Sequence, residues 1–327
     1  MRMARKEGSL GGEMRMRVKA HCATKSNKTK RNYAKACAAF DLWRKSTGLS
    51  NKTIRSNPRG ALIQWRDALM AEGYAASTIH TYISGAACGL GKIDITGIAR
   101  HGTAEDKTKS LGCSERHIAA MNKDSNADII QFQRMVGGRR SALMRLRGRD
   151  LVTDESNQLV VRFIKDKGAK TQLQRILPEH QETVRAYFER VDPDEFLFPT
   201  ISKELDLHYL RALCAKDAYY YYEKLCSTPE GRAEMRKQLW KRYTDPEIGC
   251  KAYLLAKERG DTKRMQRHLY LFQQEIADGQ YHLRGANRRV ALKRGLPTSL
   301  DRLSLACVST FHLSHFRNEV TVKHYML

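Results

Sequence analysis

Nowhere does this chain approach the roughly 18 uncharged apolar residues in a row that a membrane-spanning helix requires. Its first residues, Arg2, Arg5 and Lys6 followed by glycine and serine, lack the apolar run of a secretory leader. The expectation is therefore a cytoplasmic protein with no membrane partner. The eight cysteines (Cys22, Cys37, Cys88, Cys113, Cys214, Cys226, Cys250 and Cys307) include no CxxC pair with which a zinc site could begin. They read as reduced and mostly buried thiols. Acidic residues are scarce: 35 Asp and Glu face 59 Lys and Arg, leaving a formal net charge of +24. There is no internal repeat and no low-complexity tract. What is present, 41% hydrophobic and 29% charged residues over 327 positions, suits a folded protein of two domains that buries its own core without disulfides or metals. So much positive charge calls for a polyanion as partner.

The charge is uneven. Residues 1–60 hold 16 Lys and Arg against 3 Asp and Glu, about half of the whole excess. Residues 1–25 read as a basic arm, either solvated or bound to nucleic acid phosphates. Three helical patterns follow. The first runs from about Lys28 to Lys45, with Tyr33, Cys37, Phe40 and Trp43 on one face and Lys and Arg on the other. The second starts at Asn57-Pro58, a capping residue before a proline suited to the first helical position, carries Leu62, Trp65 and Leu69 inward, and ends at Gly73. The third begins after Ser77, with Ile79, Tyr82, Ile83 and Ala86 on its apolar side. These make a helical domain over residues 26–105, closed by a glycine-containing polar linker.

Residues 106–327 form the second domain. It opens with helical sequence around Ser114 to Met135, a Gly137-Gly138-Arg139-Arg140 turn, and further helix to Arg149. Gln158 to Lys165 and Thr171 to Leu177 then alternate with period two around a polar turn at Gly168, which predicts a hairpin with lysines at its tip. Beyond it the pattern is helical again. The predicted fold is mainly α with a small β-hairpin or sheet in the second domain.

Several residues of this half suit a phosphodiester: Arg139, Lys167 and Lys170, His208 and Arg211, His315, and Tyr325. No acidic pair for metals accompanies them. Two guanidiniums can clamp the nonbridging oxygens of a phosphate by charge-assisted bonds and so substitute for a metal ion. A histidine three residues before an arginine on a helix puts both on one face. HxxR alone is a weak signal.

As an ordered series these segments resemble the tyrosine recombinase and phage integrase family. GGRRSALMRLRGRDL (Gly137 to Leu151) is similar to that family's first arginine box, KDKGAKTQLQRILP (Lys165 to Pro178) to its lysine hairpin, LDLHYLRALCAK (Leu205 to Lys216) to its HxxR box, and LSHFRNEVTVKHYML (Leu313 to Leu327) to its closing LGHxxxxxTxxxY segment. The resemblance implies Arg139, Lys167, His208, Arg211 and His315 as catalytic groups and Tyr325 as nucleophile. It also implies a helical core-binding domain before a catalytic domain, the pair closing as a C-clamp on duplex DNA. The chemistry implied is cleavage and rejoining through a 3′-phosphotyrosine, without cofactor or metal, for integration or excision of a mobile element. Double-stranded DNA, a homotetramer on two DNA sites, and accessory DNA-bending or directionality proteins are the implied partners.

The chain departs from that pattern in places. Ala142 stands where an acidic residue usually orients the first arginine, and Ser314 replaces a common glycine. The interval from His315 to Tyr325 is one residue longer than the commonest spacing. About a hundred residues separate the HxxR box from His315, which reads as a helical insertion at about 225–300 with a DNA-facing stretch from Tyr281 to Arg302. Tyr281-His282-Leu283-Arg284 is a rival second box: spacing favours it, residue identity favours His208 and Arg211. Tyr219 to Tyr222 suit packing better than base stacking, and Arg140, Arg145, Arg147 and Arg149 are either phosphate contacts or a solvated face. The alternatives to a recombinase are a DNA relaxation enzyme like the type IB topoisomerases, a catalytically inactive DNA-binding regulator, and a basic RNA-binding protein.

Overall fold

A computed structural model describes residues 9–98, 102–103, 105–106, 112, 114–166 and 170–327. The chain is mainly helical with two small antiparallel sheets and divides into two compact units between Asp106 and Lys107.

The first unit is all helix: α1 (Leu10–His21), α2 (Asn27–Ser46), α3 (Asn51–Ser56), α4 (Pro58–Ala71) and α5 (Ala76–Gly89). Asn57 caps α4 by accepting a hydrogen bond from Gly60 N at 2.8 Å, with Pro58 in the first turn. The core gathers Phe40, Leu62, Trp65, Ile79 and Ile83. Trp65 stacks on Tyr82 at 5.7 Å and meets Phe40 edge-on at 5.2 Å. Gly85 allows α2 and α5 to approach closely, since a Cβ there would lie 2.7 Å from that of Ala36.

The expected basic arm is corrected over its described part. Residues 10–21 are helix, and Leu10, Met14, Val18 and Cys22 enter the core of this unit. Their spacing of four makes a stripe one residue wide, set among glycines and charges, which composition alone reads as a solvated tail. Each such buried side chain contributes about 1.5–3 kcal/mol. The basic groups remain outside: Arg15, Arg17 and Lys19 on α1 and Lys28, Arg31 and Lys35 on α2 are exposed.

The second unit begins with α6 (Glu115–Met121), α7 (Ala127–Val136) and the short α8 (Arg140–Leu143), followed by strands β1 (Leu151–Thr153), β2 (Leu159–Asp166) and β3 (Lys170–Arg175) in the order β1-β2-β3. The hairpin pairs Val160 with Arg175 and Phe163 with Gln172, with an irregularity between Phe163 and Asp166. Helices α9 (Gln181–Glu189), α10 (Leu207–Leu225), α11 (Pro229–Thr244), α12 (Lys251–Glu258) and α13 (Thr262–Glu275) follow. A two-stranded sheet of β4 (Gln280–His282) and β5 (Ser299–Asp301) brackets α14 (Gly285–Lys293), and α15 (Arg302–Cys307) and α16 (Asn318–Thr321) close the chain. The stretch expected as a helical insertion thus holds strands as well as helices. Leu239, Tyr243 and Phe272 from it share one hydrophobic core with Phe311, Leu313, Val322 and Tyr325.

Asp154 ties the sheet to α11. Its fully buried carboxylate accepts from Arg175 Nε at 2.7 Å and Arg242 Nη2 at 2.8 Å, while Arg242 Nε also reaches Glu155 at 2.8 Å. Two cations facing two anions keep this interior cluster balanced. The seven described cysteines are free thiols; Cys113 lies outside the described residues. Among the described residues no helix is long and apolar enough to cross a membrane.

Candidate active site

Helix α7 ends at Gly137, whose φ of +70° is the left-handed conformation that terminates helices and favours glycine. Gly138 follows against Leu143 and Phe163, where a Cβ would come within 2.9 Å of both side chains. The tight turn delivers Arg139 to the N-cap position of α8. Arg139 Nη1 donates to Gln172 Oε1 at 3.2 Å. Ala142, in the position of the usual acidic partner, is buried in the core.

Asp206 opens α10 by accepting from the backbone N–H groups of His208 and Tyr209 at 3.0 and 3.1 Å. His208 therefore sits in the first turn and Arg211 one turn on. Arg211 is only 2% exposed. It donates to the carbonyls of Gly137 and, at 3.4 Å, Leu313, and lies 3.5 Å from Gln174 Oε1. Its Nε has no acceptor, and among the described residues it makes no ion pair. Burial pulls its pKa down, the Tyr325 phenol opposes this, and the nearby Arg139 adds to it.

Tyr325 is 4% exposed and sits in a π-type turn, Val322–Met326. Its ring centroid lies 5.1 Å from that of His208, and its ring lies 5.7 Å from the Arg211 guanidinium carbon. Its hydroxyl is 3.4 Å from His315 Nε2. A π turn accommodates one more residue than an α turn, which is how the longer interval from His315 still returns the tyrosine to the histidine. A second π turn, Val308–His312, leads into the His315 loop. On that loop Ser314 and Phe316 both have a φ of +53°.

The structure thus brings Arg139, His208, Arg211, His315 and Tyr325 into one neighbourhood. Lys167 lies outside the described residues. Tyr281 and Arg284 line a different hollow with Asn287, Arg302 and Glu319, one that does not include Tyr325. Tyr219 and Tyr222 are buried, as packing requires, and Tyr220 is exposed. Arg140 binds the carbonyls of Ile201, Ser202 and Leu205, Arg147 the carbonyl of Asp194, and Arg149 its carboxylate. Those three arginines brace loops of the unit. A hollow of about 1250 Å³ beside Arg134, Asp217 and Tyr220 contains none of the candidate groups.

Two residues escaped sequence reasoning. Gln172 and Gln174 occupy alternate positions of β3 and are both buried. Gln174 Nε2 donates to the carbonyls of Val136, Gly137 and His312, tying the glycine turn to the segment before His315. Polar residues on the core face of a strand were the available signal, because buried amides persist only when hydrogen-bonded.

His312 lies behind the site, with Nε2 3.2 Å from the Tyr222 hydroxyl. Burial, with Arg175, Arg211 and Arg242 adding repulsion, pushes its pKa down to about 3. No cluster of three or more metal-ligating side chains occurs among the described residues. No family model, no curated protein and no solved structure matches this chain.

Proposed function

We propose that this chain is a site-specific DNA recombinase or integrase of the tyrosine class. In this reading the first unit is the core-binding domain and the second the catalytic domain. The observation that carries it is the enclosure of Arg211, a buried guanidinium that meets no carboxylate among the described residues, against the ring of Tyr325. An uncompensated interior cation is costly unless an anion completes the site. A phosphodiester would supply the anion exactly where a nucleophilic hydroxyl waits.

Tyr325 Oη forms a bond to phosphorus while the bond to the 5′ oxygen breaks, leaving a 3′-phosphotyrosine and a free 5′-hydroxyl. Arg139 and Arg211 stabilise the charge that builds on the nonbridging oxygens. The approach of His315 Nε2 suits it to take the tyrosine proton, a role the family resemblance gives to His208. His208 packs against the tyrosine ring and helps fix its orientation. Lys167, the lysine the family resemblance implies, returns a proton to the leaving 5′ oxygen. Attack by another strand's 5′-hydroxyl reverses the steps and completes exchange. The exposed cations of α1 and α2 serve duplex phosphates, with a salt-dependent affinity. A tetramer on two DNA sites, assisted by DNA-bending or directionality proteins in the cytoplasm, completes the proposal.

The test is covalent trapping on nicked suicide duplexes drawn from DNA flanking the coding sequence, without added metal. A denaturant-resistant protein–DNA adduct that disappears in Tyr325→Phe supports the reading. Retained binding with no adduct on any duplex favours the inactive regulator.

A further inference from the structure

The loop that carries His315 is held in an unfavourable conformation. Both of its flanking residues, Ser314 and Phe316, bear side chains yet adopt the left-handed backbone region. Such a conformation persists only when its surroundings impose it. From inside, Ser309 does part of this: its carbonyl accepts from His315 N and its hydroxyl from Arg317 N, each at 2.8 Å. Further contacts come from α11 and α13, in the stretch between the HxxR box and His315.

Phe316 meets Tyr243 of α11 edge-on, with centroids 5.7 Å apart and planes at 84°. Tyr243 is itself stacked on Phe272 of α13 at 3.8 Å and donates its hydroxyl to the His268 carbonyl at 3.1 Å. One residue past the loop, Asn318 N donates to Glu275 Oε2 at 2.8 Å and Asn318 Nδ2 to the Glu275 carbonyl at 3.0 Å. A hollow of about 510 Å³ separates the loop from α12 and α13, lined by Lys251, His268, Glu275, His315 and Arg317. The loop is therefore held just past His315, at Phe316 and at Asn318, and borders the hollow with Ser314, His315, Phe316 and Arg317.

We infer that α11 and α13 are a positioning device for His315, with Tyr243 and Phe272 acting through Phe316 and Glu275 acting through Asn318. This rests on the recombinase reading of the site. It gives the long intervening stretch a task inside the active site, in addition to any contact with DNA.

The experiment uses the full chain and a nicked duplex on which the wild type forms adduct, comparing single-turnover attachment rate with equilibrium DNA affinity. Phe316→Leu and Tyr243→Leu are expected to slow attachment at least tenfold with affinity within twofold. Tyr243→Phe, which keeps the stack, is expected to stay within twofold of wild type. In a His315→Ala background the same leucine substitutions are expected to change the rate less than twofold, because contacts that act only through one residue are not additive with its loss. Phe316 is half-buried, so its variant remains informative if Tyr243→Leu does not fold. Attachment at the wild-type rate in Phe316→Leu, or an equal further loss in the His315→Ala background, overturns the inference and leaves the recombinase reading standing. A wild type that binds DNA yet never forms an adduct overturns both.

Discussion

Gln172 accepts a hydrogen bond from Arg139 at 3.2 Å, so a neutral amide on a strand steadies the guanidinium that follows the Gly137-Gly138 turn. An amide fixes direction without cancelling charge. In the proposed reaction the arginine would meet a phosphate with its attraction intact.

Replacing that acceptor separates the two effects. Gln172→Met removes the bond, and loss of a hydrogen bond to a charged group, about 1.5–3 kcal/mol, is expected to slow covalent attachment about 10- to 100-fold. Gln172→Glu keeps an acceptor but adds negative charge, and is expected to weaken phosphate attraction while holding Arg139 in place. Attachment rates across a salt series distinguish them, since only the glutamate variant's deficit relative to wild type should shrink as ionic strength rises and screens the added charge.

The enclosed Arg211 makes a second expectation. An anion that binds only the folded state stabilises it by mass action, on the order of 1–2 kcal/mol for a ligand well above its dissociation constant. Inorganic phosphate should raise the melting temperature above that in chloride at equal ionic strength. In Arg211→Met the increment should shrink to what non-specific salt effects provide.

The fold was legible in the sequence where apolar stripes were broad or turn chemistry explicit. Helices α2, α4 and α5 show two-residue-wide apolar faces, and the Asn57-Pro58 start of α4 carries its own cap. The hairpin was legible from alternation. Helix α1 was not, because its stripe is a single row among charges. The two π turns were also invisible, since a widened turn leaves no signature in residue type. Spacing counted the residues between the HxxR box and His315 but could not say what they touch. That depends on Tyr243 and Phe272 meeting across separate helices, a long-range contact no local pattern encodes.

Met14 tests the packing of α1. It is fully buried in the core of the first unit, so Met14→Ala is expected to cost about 2–5 kcal/mol. Denaturant unfolding of the whole chain should show the loss. Exposed Met16→Ala on the same helix should stay within about 0.5 kcal/mol of wild type.

His312 should make the protein acid-sensitive. Its folded pKa of about 3 lies below the ordinary 6.5, so the unfolded chain binds its proton more readily. The stability it contributes is present above pH 6.5 and is lost progressively as pH falls from there toward 3. Between pH 8 and pH 5 the expected loss is about 2 kcal/mol. Unfolding midpoints of the wild type and His312→Gln at the two values check this. The variant should lose less stability over that interval.

The backbone at Ser314 and Phe316 has a consequence for how this protein can drift. Glycine at either position would relieve the left-handed conformation and would enlarge the set of shapes open to the loop both folded and unfolded. Side chains there trade ease of folding for a single resting pose. Mutational routes toward greater stability through these two positions therefore lead away from a fixed imidazole, so in the proposed enzyme catalysis and robustness would pull in opposite directions at one loop of the chain.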